Sequence, residues 1–257
     1  MNQQSLTDQL KAMGLKKTDT VLMHASMKAI GAVSGGGHTV IKTLIDYFEE
    51  GLFMMPAHTW KTINETNNHF DPKTEKACVG ILPNLFLAHP KSRRSLHPTH
   101  SVVCSGDYDQ SLLNKEALWH TPTPLEGIYG KLKALDGYIL LVGCGFERNT
   151  YIHSIEESMH INNRFSDQPF DVWIHHEDAI IKSYMYKHEN ITFPHLSENY
   201  YRVLPKLEHL GLIDYHMFGH ALVMKMKAKD LFDHISRWLK NDPLLFDSNL
   251  PIENDLF

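Results

Sequence analysis

The chain has few cysteines, no long apolar run and no excess of basic residues. Its 257 residues include three cysteines, Cys78, Cys104 and Cys144, and no two of them form a Cys-x-x-C pair. This usage predicts reduced thiols in the cytosol rather than a disulfide framework. No apolar run approaches the roughly 20 residues that a membrane-spanning helix needs, and residues 1–4 lack the basic and apolar regions of a signal peptide. We therefore expect a cytoplasmic protein without a membrane partner.

The charge balance argues against a nucleic-acid partner. The sequence has 25 lysines and arginines against 30 aspartates and glutamates, a formal net charge of -5. Nucleic-acid-binding proteins usually carry a basic patch or stripe instead. Hydrophobic residues make up 42% of the chain and charged residues 21%, which is typical of a globular protein. Histidine is frequent, with 18 copies, and each is a potential base near neutral pH.

The most informative stretch is a strand-like run that leads into a glycine-rich loop. Residues 21–26 precede the loop, residues 27–37, which ends in Gly35, Gly36 and Gly37 before a helical apolar pattern. This arrangement offers bare N–H groups and a positive helix end to an anion or phosphorylated cofactor. The loop lacks the lysine of a P-loop and the spacing of a dinucleotide fingerprint, which disfavours the usual mononucleotide folds. A flexible turn is the alternative interpretation.

The periodicity along the chain predicts one α/β domain. An apolar run at residues 52–55 follows the first long helix pattern, so the chain opens with a parallel, right-handed βαβ unit. Strand patterns occur at residues 21–24, 52–55, 101–104, 138–142, 171–175, 180–186, 212–218 and 221–226. Helix patterns occur at residues 5–13, 40–48, 81–87, 150–160, 198–210 and 230–239. We expect a mixed, largely parallel central sheet flanked by helices, with an antiparallel extension, in a single domain over residues 1–257.

Polar residues gather on loops next to the predicted strands, where open α/β sheets bind ligands. Residues 93–101 combine arginine, histidine and serine side chains that suit phosphate or pantetheine-like groups. Residues 119–124 form a proline-stiffened loop that carries His120. Residues 187–190 include Glu189, a carboxylate that can orient a histidine elsewhere in the fold. The alternative interpretations are a solvated loop for residues 93–101, a structural role for residues 119–124 and a solvent-facing turn for residues 187–190.

A histidine near the start of a helix is the strongest candidate for a catalytic base. Thr150 is predicted to cap that helix. His153 then lies in the first turn, where the positive helix end favours the neutral imidazole that accepts a proton. Glu156 lies on the same face, and His195 and Glu198 repeat the spacing. The order of residue types is the reverse of the Glu-x-x-His helices in di-metal bundles, so we expect no metal.

Taken together, these stretches resemble the aminoglycoside 3-N-acetyltransferase family. No single landmark is specific, but they run in order over almost the whole chain. They are residues 21–26 with Gly31 and the glycine loop, 55–56, 70–72, 94–98, 121–124, 140–143, 149–153 with Glu156, 219–221 and 242–244. The resemblance implies a fold distinct from the GNAT acetyltransferases and acetyl-CoA as acetyl donor. The implied acceptor is an amine of an aminoglycoside-type antibiotic (the 3-amino group) or a related amine, an activity linked to bacterial antibiotic resistance.

The resemblance also implies roles for individual residues. His153 is expected to be the base, with His120 nearby, and the orienting acid falls on Glu189 or one residue earlier, at His188; we expect Glu189. The residues expected to bind the substrate amine are Glu65, Asp71 and Glu156. The residues expected to line the CoA groove are Ser26, Lys28, Ile30, Gly31, Ala32, Val33, Gly35, Gly36, Ser95 and His97.

The implied reaction is direct acyl transfer. A free alkylamine is largely protonated near pH 7, and a histidine with a pKa near neutrality can take the proton as the new bond forms. Acidic residues around the site mouth attract a polycationic amine through their long-range field. The expected partner is thus a small-molecule amine, bound by a monomer or homodimer.

Three other interpretations stay open. A CoA-binding protein can keep the groove without the chemistry. A cysteine nucleophile, Cys104 or Cys144, is another option, although free cysteine is usually a small buried hydrophobe. The third is a metal-dependent hydrolase whose ligands are His97, His100, His120 and His153.

Overall fold

Ten strands and nine α-helices form the part of the chain that the computed structural model describes, residues 1–250 and 252. The strands are β1 (Thr20–Ala25), β2 (Leu52–Pro56), β3 (His69–Phe70), β4 (Arg93–Arg94), β5 (Val102–Gly106), β6 (Tyr138–Val142), β7 (Phe170–His176), β8 (Ala179–Met185), β9 (Asp214–Phe218) and β10 (Ala221–Lys227). The helices are α1 (Gln3–Ala12), α2 (Met27–Ile30), α3 (Gly36–Tyr47), α4 (Ile81–Leu87), α5 (Ser111–Lys115), α6 (Ile128–Lys131), α7 (Tyr151–Ser158), α8 (Leu204–His209) and α9 (Ala228–Asn241). Short 3₁₀ segments occupy Glu116–Leu118, Phe146–Arg148 and Leu196–Val203. The end of the predicted domain, residues 251 and 253–257, lies outside the described residues.

Seven strands form the central sheet in the order β4-β5-β2-β1-β6-β10-β9. Strands β2, β1 and β6 pair in parallel, whereas β4, β5, β10 and β9 pair antiparallel to their neighbours. The predicted mixed α/β fold is confirmed, but its parallel part is smaller than predicted. The reason is that β5 runs back along β2, and the β9–β10 hairpin adds β10 antiparallel to β6. Strands β3, β7 and β8 form a separate small sheet.

The unit β1–α3–β2 is built as the sequence predicts, with β1 and β2 parallel. Helix α3 begins after Gly35, whose φ of 81° is a left-handed conformation that glycine adopts without a steric penalty. Its apolar side chains are buried against the sheet, and burying each contributes roughly 1.5–3 kcal/mol. They are Val40, Ile41, Leu44 and Ile45.

Both faces of the central sheet are buried. Along β1, Leu22 belongs to one hydrophobic core and Val21 and Met23 to the other, because successive side chains of a strand point to opposite faces. The first core is completed by α7 and α9, and the second by α1, α3 and α4. Helices therefore cover both sides of the sheet, and the ends of its strands are left to form a ligand site.

Two local predictions are wrong. The helix predicted over residues 198–210 is a 3₁₀ segment, Leu196–Val203, followed by α8. Pro205 explains the change, because proline has no N–H to continue the α-helical hydrogen bonds. Thr150 makes no side-chain cap at α7, since it already has helical angles (φ −56°, ψ −26°), whereas a capping residue is usually extended.

The carboxyl ends of the parallel strands position the site. Strand β1 ends at Ala25, hydrogen-bonded in register with Val142 at the end of β6. Helix α2 follows β1 and helix α7 follows β6, so both begin at this edge of the sheet. None of the helices in the described part of the chain combines the length and apolar character that crossing a membrane requires.

Candidate active site

A cavity of about 870 Å³ opens at the carboxyl ends of the parallel strands. Its volume lies within the usual range for small-molecule sites. The wall is drawn from stretches within residues 23–28, 55–63, 78–83, 144–153 and 187–198, together with Thr99, His100 and Phe170. Loops that are far apart in sequence therefore converge here.

His153 on α7 lies at the cavity wall with 14% of its side chain exposed. Its Nδ1 is 2.5 Å from the hydroxyl of Tyr200, which donates its proton to the carboxylate of Glu156. A carboxylate only accepts hydrogen bonds, so the tyrosine oxygen is left to accept the Nδ1–H of the imidazole. This network assigns the proton to Nδ1 and leaves Nε2 with a free lone pair. Nε2 is then able to act as a base.

Glu156 is held as a carboxylate in a buried charge network. Burial opposes its charged form, yet the neighbouring His153 ring and the Arg164 guanidinium, together with Tyr200, lower the pKa of the Glu156 carboxyl. Arg164 Nε lies 2.5 Å from Glu156, and Nη2 of the same arginine lies 2.5 Å from Asp247. The pKa of Tyr200 is raised by burial and by Glu156, so the tyrosine remains a neutral donor.

His188 takes the place beside the base where we expected Glu189. The His188 and His153 ring centroids are 3.9 Å apart, whereas Glu189 is exposed and bonds Arg164 through its backbone N–H at 3.0 Å. The prediction for Glu189 is therefore wrong in this structure. An antiparallel bridge between Phe165 and His188 explains the register, because alternate residues of an extended segment point to opposite sides.

Further histidines form the cavity floor, and the sequence did not single out two of them, His24 and His58. His24 is the last but one residue of β1, and burial and the nearby His153 lower its pKa to about 3. His58 Nε2 lies 2.8 Å from the Tyr129 hydroxyl, and its ring is 4.6 Å from that of His100. Burial lowers the pKa of His58 and His100 as well. The floor is thus made of neutral imidazoles, and the strand-end position of His24 was the available sequence signal.

Ser95 and His97 do not line the cavity, contrary to the predicted CoA groove. Both are fully buried. Ser95 Oγ accepts a hydrogen bond from Val102 N–H at 3.0 Å. His97 Nε2 lies 2.9 Å from the carbonyl of Thr121, and its Nδ1 accepts from His100 N–H at 2.9 Å. These bonds fix the loops behind the site, which explains why polar residues recur there.

His120 also lies away from the cavity wall. Its ring stacks on Tyr184 with 3.8 Å between centroids, and its Nδ1 is 3.1 Å from the Tyr184 carbonyl. Its role is therefore to join its proline-rich loop to β8. The structure does not bring it beside His153, because the loop is bound to the small sheet.

Of the predicted glycine-loop contacts, Ser26 and Lys28 line the cavity. Ser26 Oγ accepts from Ala29 N–H at 3.3 Å and so caps α2. Gly31 adopts a φ of 82°, and a Cβ there would lie 2.9 Å from the His220 ring. The remaining predicted contacts lie in the same loop but outside the cavity wall. They are Ile30, Gly31, Ala32, Val33, Gly35 and Gly36.

The three carboxylates predicted to bind the substrate amine have different environments. Glu65 is exposed and forms an ion pair with Lys187 of the cavity wall, which lowers the pKa of Glu65. Asp71 accepts from Lys73 N–H and Thr74 Oγ1 in a turn. Glu156 is buried, with both oxygens engaged, so it is not a substrate contact.

Two carboxylates that the sequence did not single out for the substrate, Glu147 and Glu198, line the cavity directly. Their positions after β6 and before α8 depend on loop folding that local pattern does not reveal. Glu147 precedes Arg148, another residue of the cavity wall.

The metal-hydrolase and cysteine interpretations find little support. In the described residues, one group has metal-ligand spacing, His153 with Glu156 and His188. The four histidines predicted as hydrolase ligands do not form one cluster, because His97 and His100 are neighbours but His120 stacks on Tyr184. Burial raises the pKa of Cys104 to about 12 and that of Cys144 to about 11, which disfavours a nucleophilic thiolate.

The sheet, the cavity at its strand ends and the oriented histidine define a mixed α/β protein with a small-molecule site. The chain belongs to the aminoglycoside 3-N-acetyltransferase family, whose model matches residues 22–240. This match confirms the resemblance that the sequence motifs indicated.

Two curated relatives illustrate the similarity. The SPbeta prophage-derived aminoglycoside N(3')-acetyltransferase-like protein YokD of Bacillus subtilis is 35% identical over 179 residues, 60% of this chain and 64% of its own length. Aminoglycoside N(3)-acetyltransferase III of Pseudomonas aeruginosa is 30% identical over 172 residues, 59% of this chain and 62% of its own length. The matched segment thus spans less than two thirds of either relative.

Solved structures show the same fold over nearly the whole chain. The crystal structure of the YokD protein from Bacillus subtilis aligns with a TM-score of 0.79 at 26% identity, covering 93% of both chains. AAC-IIIb, in a binary complex with CoASH, aligns with a TM-score of 0.81 at 19% identity, covering 93% of this chain and 96% of its own.

Proposed function

We propose that the protein is an acetyl-CoA-dependent N-acetyltransferase. Its acceptor is an amine of an aminoglycoside-type antibiotic, at the 3-amino group, or a related amine. The observation that carries this proposal is the ordered His153–Tyr200–Glu156 hydrogen-bond chain at the cavity wall. Family membership and a structural relative with bound CoASH support the choice of reaction and donor.

The cavity wall suits the co-substrate. CoA carries negative phosphates on a flexible arm, and the wall offers the cations Lys28, Lys61 and Arg148 beside apolar residues such as Met27 and Val79. Acetyl-CoA supplies the acetyl group as a thioester. The lysines and the arginine are the residues that we expect to hold its phosphates.

His153 acts as the general base. Nε2 accepts the proton that the amine loses when it attacks, which turns the imidazole into an imidazolium. The buried network offsets that charge, because Glu156 and Asp247 carry two negative charges against one positive charge on Arg164. Tyr200 transmits the effect of Glu156 to the ring through its hydroxyl. A positioned base of this kind contributes roughly 10²–10⁴-fold to the rate.

The test is thiol release from acetyl-CoA with a panel of amines that includes aminoglycosides. His153→Ala is expected to lower kcat by roughly 10²–10⁴-fold while leaving CoA binding intact by calorimetry. His175→Ala is the matched control, because that histidine lies on β7 in the small sheet, away from the cavity wall. Unchanged turnover in His153→Ala contradicts the assigned base. CoA binding without turnover on any amine indicates a protein that binds CoA without transferring acetyl groups.

The same proposal includes a cytoplasmic location and a monomeric or homodimeric state. Free cysteines and the use of acetyl-CoA support the location. Light scattering after size-exclusion chromatography measures the oligomeric state.

A further inference from the structure

We propose that His153, Glu156 and His188 form a site for a divalent transition-metal cation such as Zn²⁺. The bound cation occupies His153 and so prevents it from acting as the catalytic base. The metal binding itself does not depend on the proposed function. The loss of turnover does, because it requires that His153 serves the acetyl transfer.

The three side chains have the spacing of a metal site. One ligand atom from each lies within 4.8 Å of the other two. Two ligands of one zinc ion lie at most about 4.2 Å apart, twice the metal–ligand distance of about 2.1 Å. Small side-chain rotations therefore bring the three atoms to coordination distance. Two imidazoles and a carboxylate are also a donor set that zinc uses, with its fourth position free.

His188 supplies the observation that points to a ligand. Its Nε2 is buried and has no hydrogen-bond partner among the described residues. An unpartnered buried polar atom carries a free-energy penalty, because it has lost its hydrogen bonds to water without replacement. Coordination of a cation uses the free lone pair of this nitrogen. The His153 ring lies against it, with 58° between the ring planes, so the two histidines can face a common ion.

The net charge of the groups around the three ligands favours a bound cation. Glu156 and Asp247 together outweigh Arg164 by one negative charge, so a divalent ion leaves a net charge of only +1. Glu156 is a carboxylate paired with Arg164, and a carboxylate binds a metal without first releasing a proton. The hydroxyl of Tyr200 gives up its bond to Glu156 or shares the carboxylate.

The experiment titrates the purified protein with Co²⁺, a spectroscopic substitute for Zn²⁺, and then with Zn²⁺ by calorimetry. Wild-type protein is expected to bind one ion, with visible absorption of low-symmetry Co²⁺. His188→Ala is expected to lower the affinity by at least about tenfold, and circular dichroism establishes that it is folded. The thermal shift that Zn²⁺ produces should shrink in parallel, since ligand binding stabilises a fold by mass action.

His69→Ala is the control variant, because His69 and His175 form a second histidine pair, with ring nitrogens 3.0 Å apart on the small sheet. It should bind the ion at the cavity as wild-type protein does. Equal affinity in wild-type protein and His188→Ala overturns the proposal, as does loss of the ion in His69→Ala. Metal binding by a protein that acetylates no amine supports this site and counts against the proposed function alone.

Discussion

At the scale of single residues, Tyr200 decides which nitrogen of His153 carries a proton. The phenol stands between an imidazole and a carboxylate and is a poor acid in this environment, because burial and Glu156 raise its pKa. It therefore donates to Glu156 and accepts from the ring. His153 and Glu156 are not in direct hydrogen-bond contact, since Nδ1 and the carboxylate oxygen are 3.8 Å apart.

Tyr200→Phe should therefore lower kcat with little change in KM. The substitution keeps the buried ring but removes the hydroxyl that aligns His153 and connects it to Glu156. Hydrogen bonds to charged groups contribute about 1.5–3 kcal/mol, so we expect a loss of about 10- to 100-fold in kcat. Steady-state kinetics with saturating acetyl-CoA measure it.

Tyr201→Phe is the matched control. Its hydroxyl donates to the Asn249 carbonyl at an exposed position, so kcat should stay at the wild-type level. A Tyr200→Phe enzyme with the wild-type kcat contradicts the assigned hydrogen-bond chain, whereas a raised KM with unchanged kcat indicates a binding role instead.

The sequence predicted part of this site and missed the rest for a physical reason. The spacing of His153 and Glu156 predicts that they share a helix face, and the structure places them so. Tyr200, which lies 44 residues from Glu156, donates to one oxygen of its carboxylate, and Arg164 donates to the other. Contacts between distant segments depend on the packing of the whole fold, which local periodicity does not encode.

At the scale of elements, β6 and α2 are closely packed where they meet near the site. Gly143 follows β6 with a φ of 63°, and a Cβ there would lie 2.2 Å from the Cβ of Ala29 on α2. Its N–H donates to the carbonyl of Leu222 in β10. The absence of a side chain at Gly143 thus lets α2, with Ser26 and Lys28 at its start, lie directly against the end of the sheet.

Gly143→Ala should lower the free energy of unfolding by about 2–5 kcal/mol. Left-handed backbone costs an alanine about 1–2 kcal/mol, and overpacking adds about 1–3 kcal/mol. Gly14→Ala is the control, since Gly14 has a φ of 73° but nothing within 4 Å of the added Cβ. In Gly14→Ala the free energy of unfolding should fall only by the contribution of the left-handed backbone. Urea unfolding measures both, and equal losses contradict the importance of the contact with Ala29.

Strands and helices with a strong local pattern were predicted well, as was the parallel pairing of β1 with β2, but the antiparallel direction of other strands was not. The apolar run of β6 and the helix pattern of α4 have the bounds that the sequence predicts, residues 138–142 and 81–87. The antiparallel direction of β5 depends on the path of the chain from β2 through α4 and β4. No local pattern in the sequence of β5 predicts that path.

At the scale of the whole molecule, buried ionisable groups make stability depend on pH in both directions. Burial and the neighbouring His153 lower the pKa of His24 to about 3, and burial lowers that of His97 to about 4. Burial raises the pKa of Glu116 to about 8, although its carboxyl accepts from Ile128 N–H at 2.7 Å. The fold thus favours neutral histidines and a protonated glutamate.

Stability should be greatest near pH 6.5. Below the unfolded-state histidine pKa of about 6.5, His24 and His97 bind protons in the unfolded chain but stay neutral in the folded chain. Stability therefore falls as pH falls toward 4. The unfolded chain has lost the Glu116 proton by about pH 4.5, whereas the folded chain keeps it until about pH 8, so Glu116 lowers stability as pH rises between these values. Above pH 6.5 the histidines no longer offset this decline, so stability falls toward pH 8. Each group contributes a slope of about 1.4 kcal/mol per pH unit. Urea unfolding at several pH values measures the curve.

Glu116→Gln isolates the alkaline side of that curve. The amide oxygen still accepts from Ile128 N–H but no charge forms, so the decline between pH 6.5 and 8 should become shallower. Glu126→Gln, at an exposed neighbouring position, should leave the wild-type curve unchanged. An identical alkaline decline in wild-type protein and Glu116→Gln excludes Glu116 as its cause.

The balance of charge at the proposed base depends on residues beyond the segment that the family model matches. Asp247 holds Arg164, while Arg202 donates to the carbonyls of Leu245 and Leu250 and keeps this segment in place. The family model ends at residue 240. A change at Asp247 or Arg202 should therefore alter the charge behind His153 without touching any residue of the cavity wall.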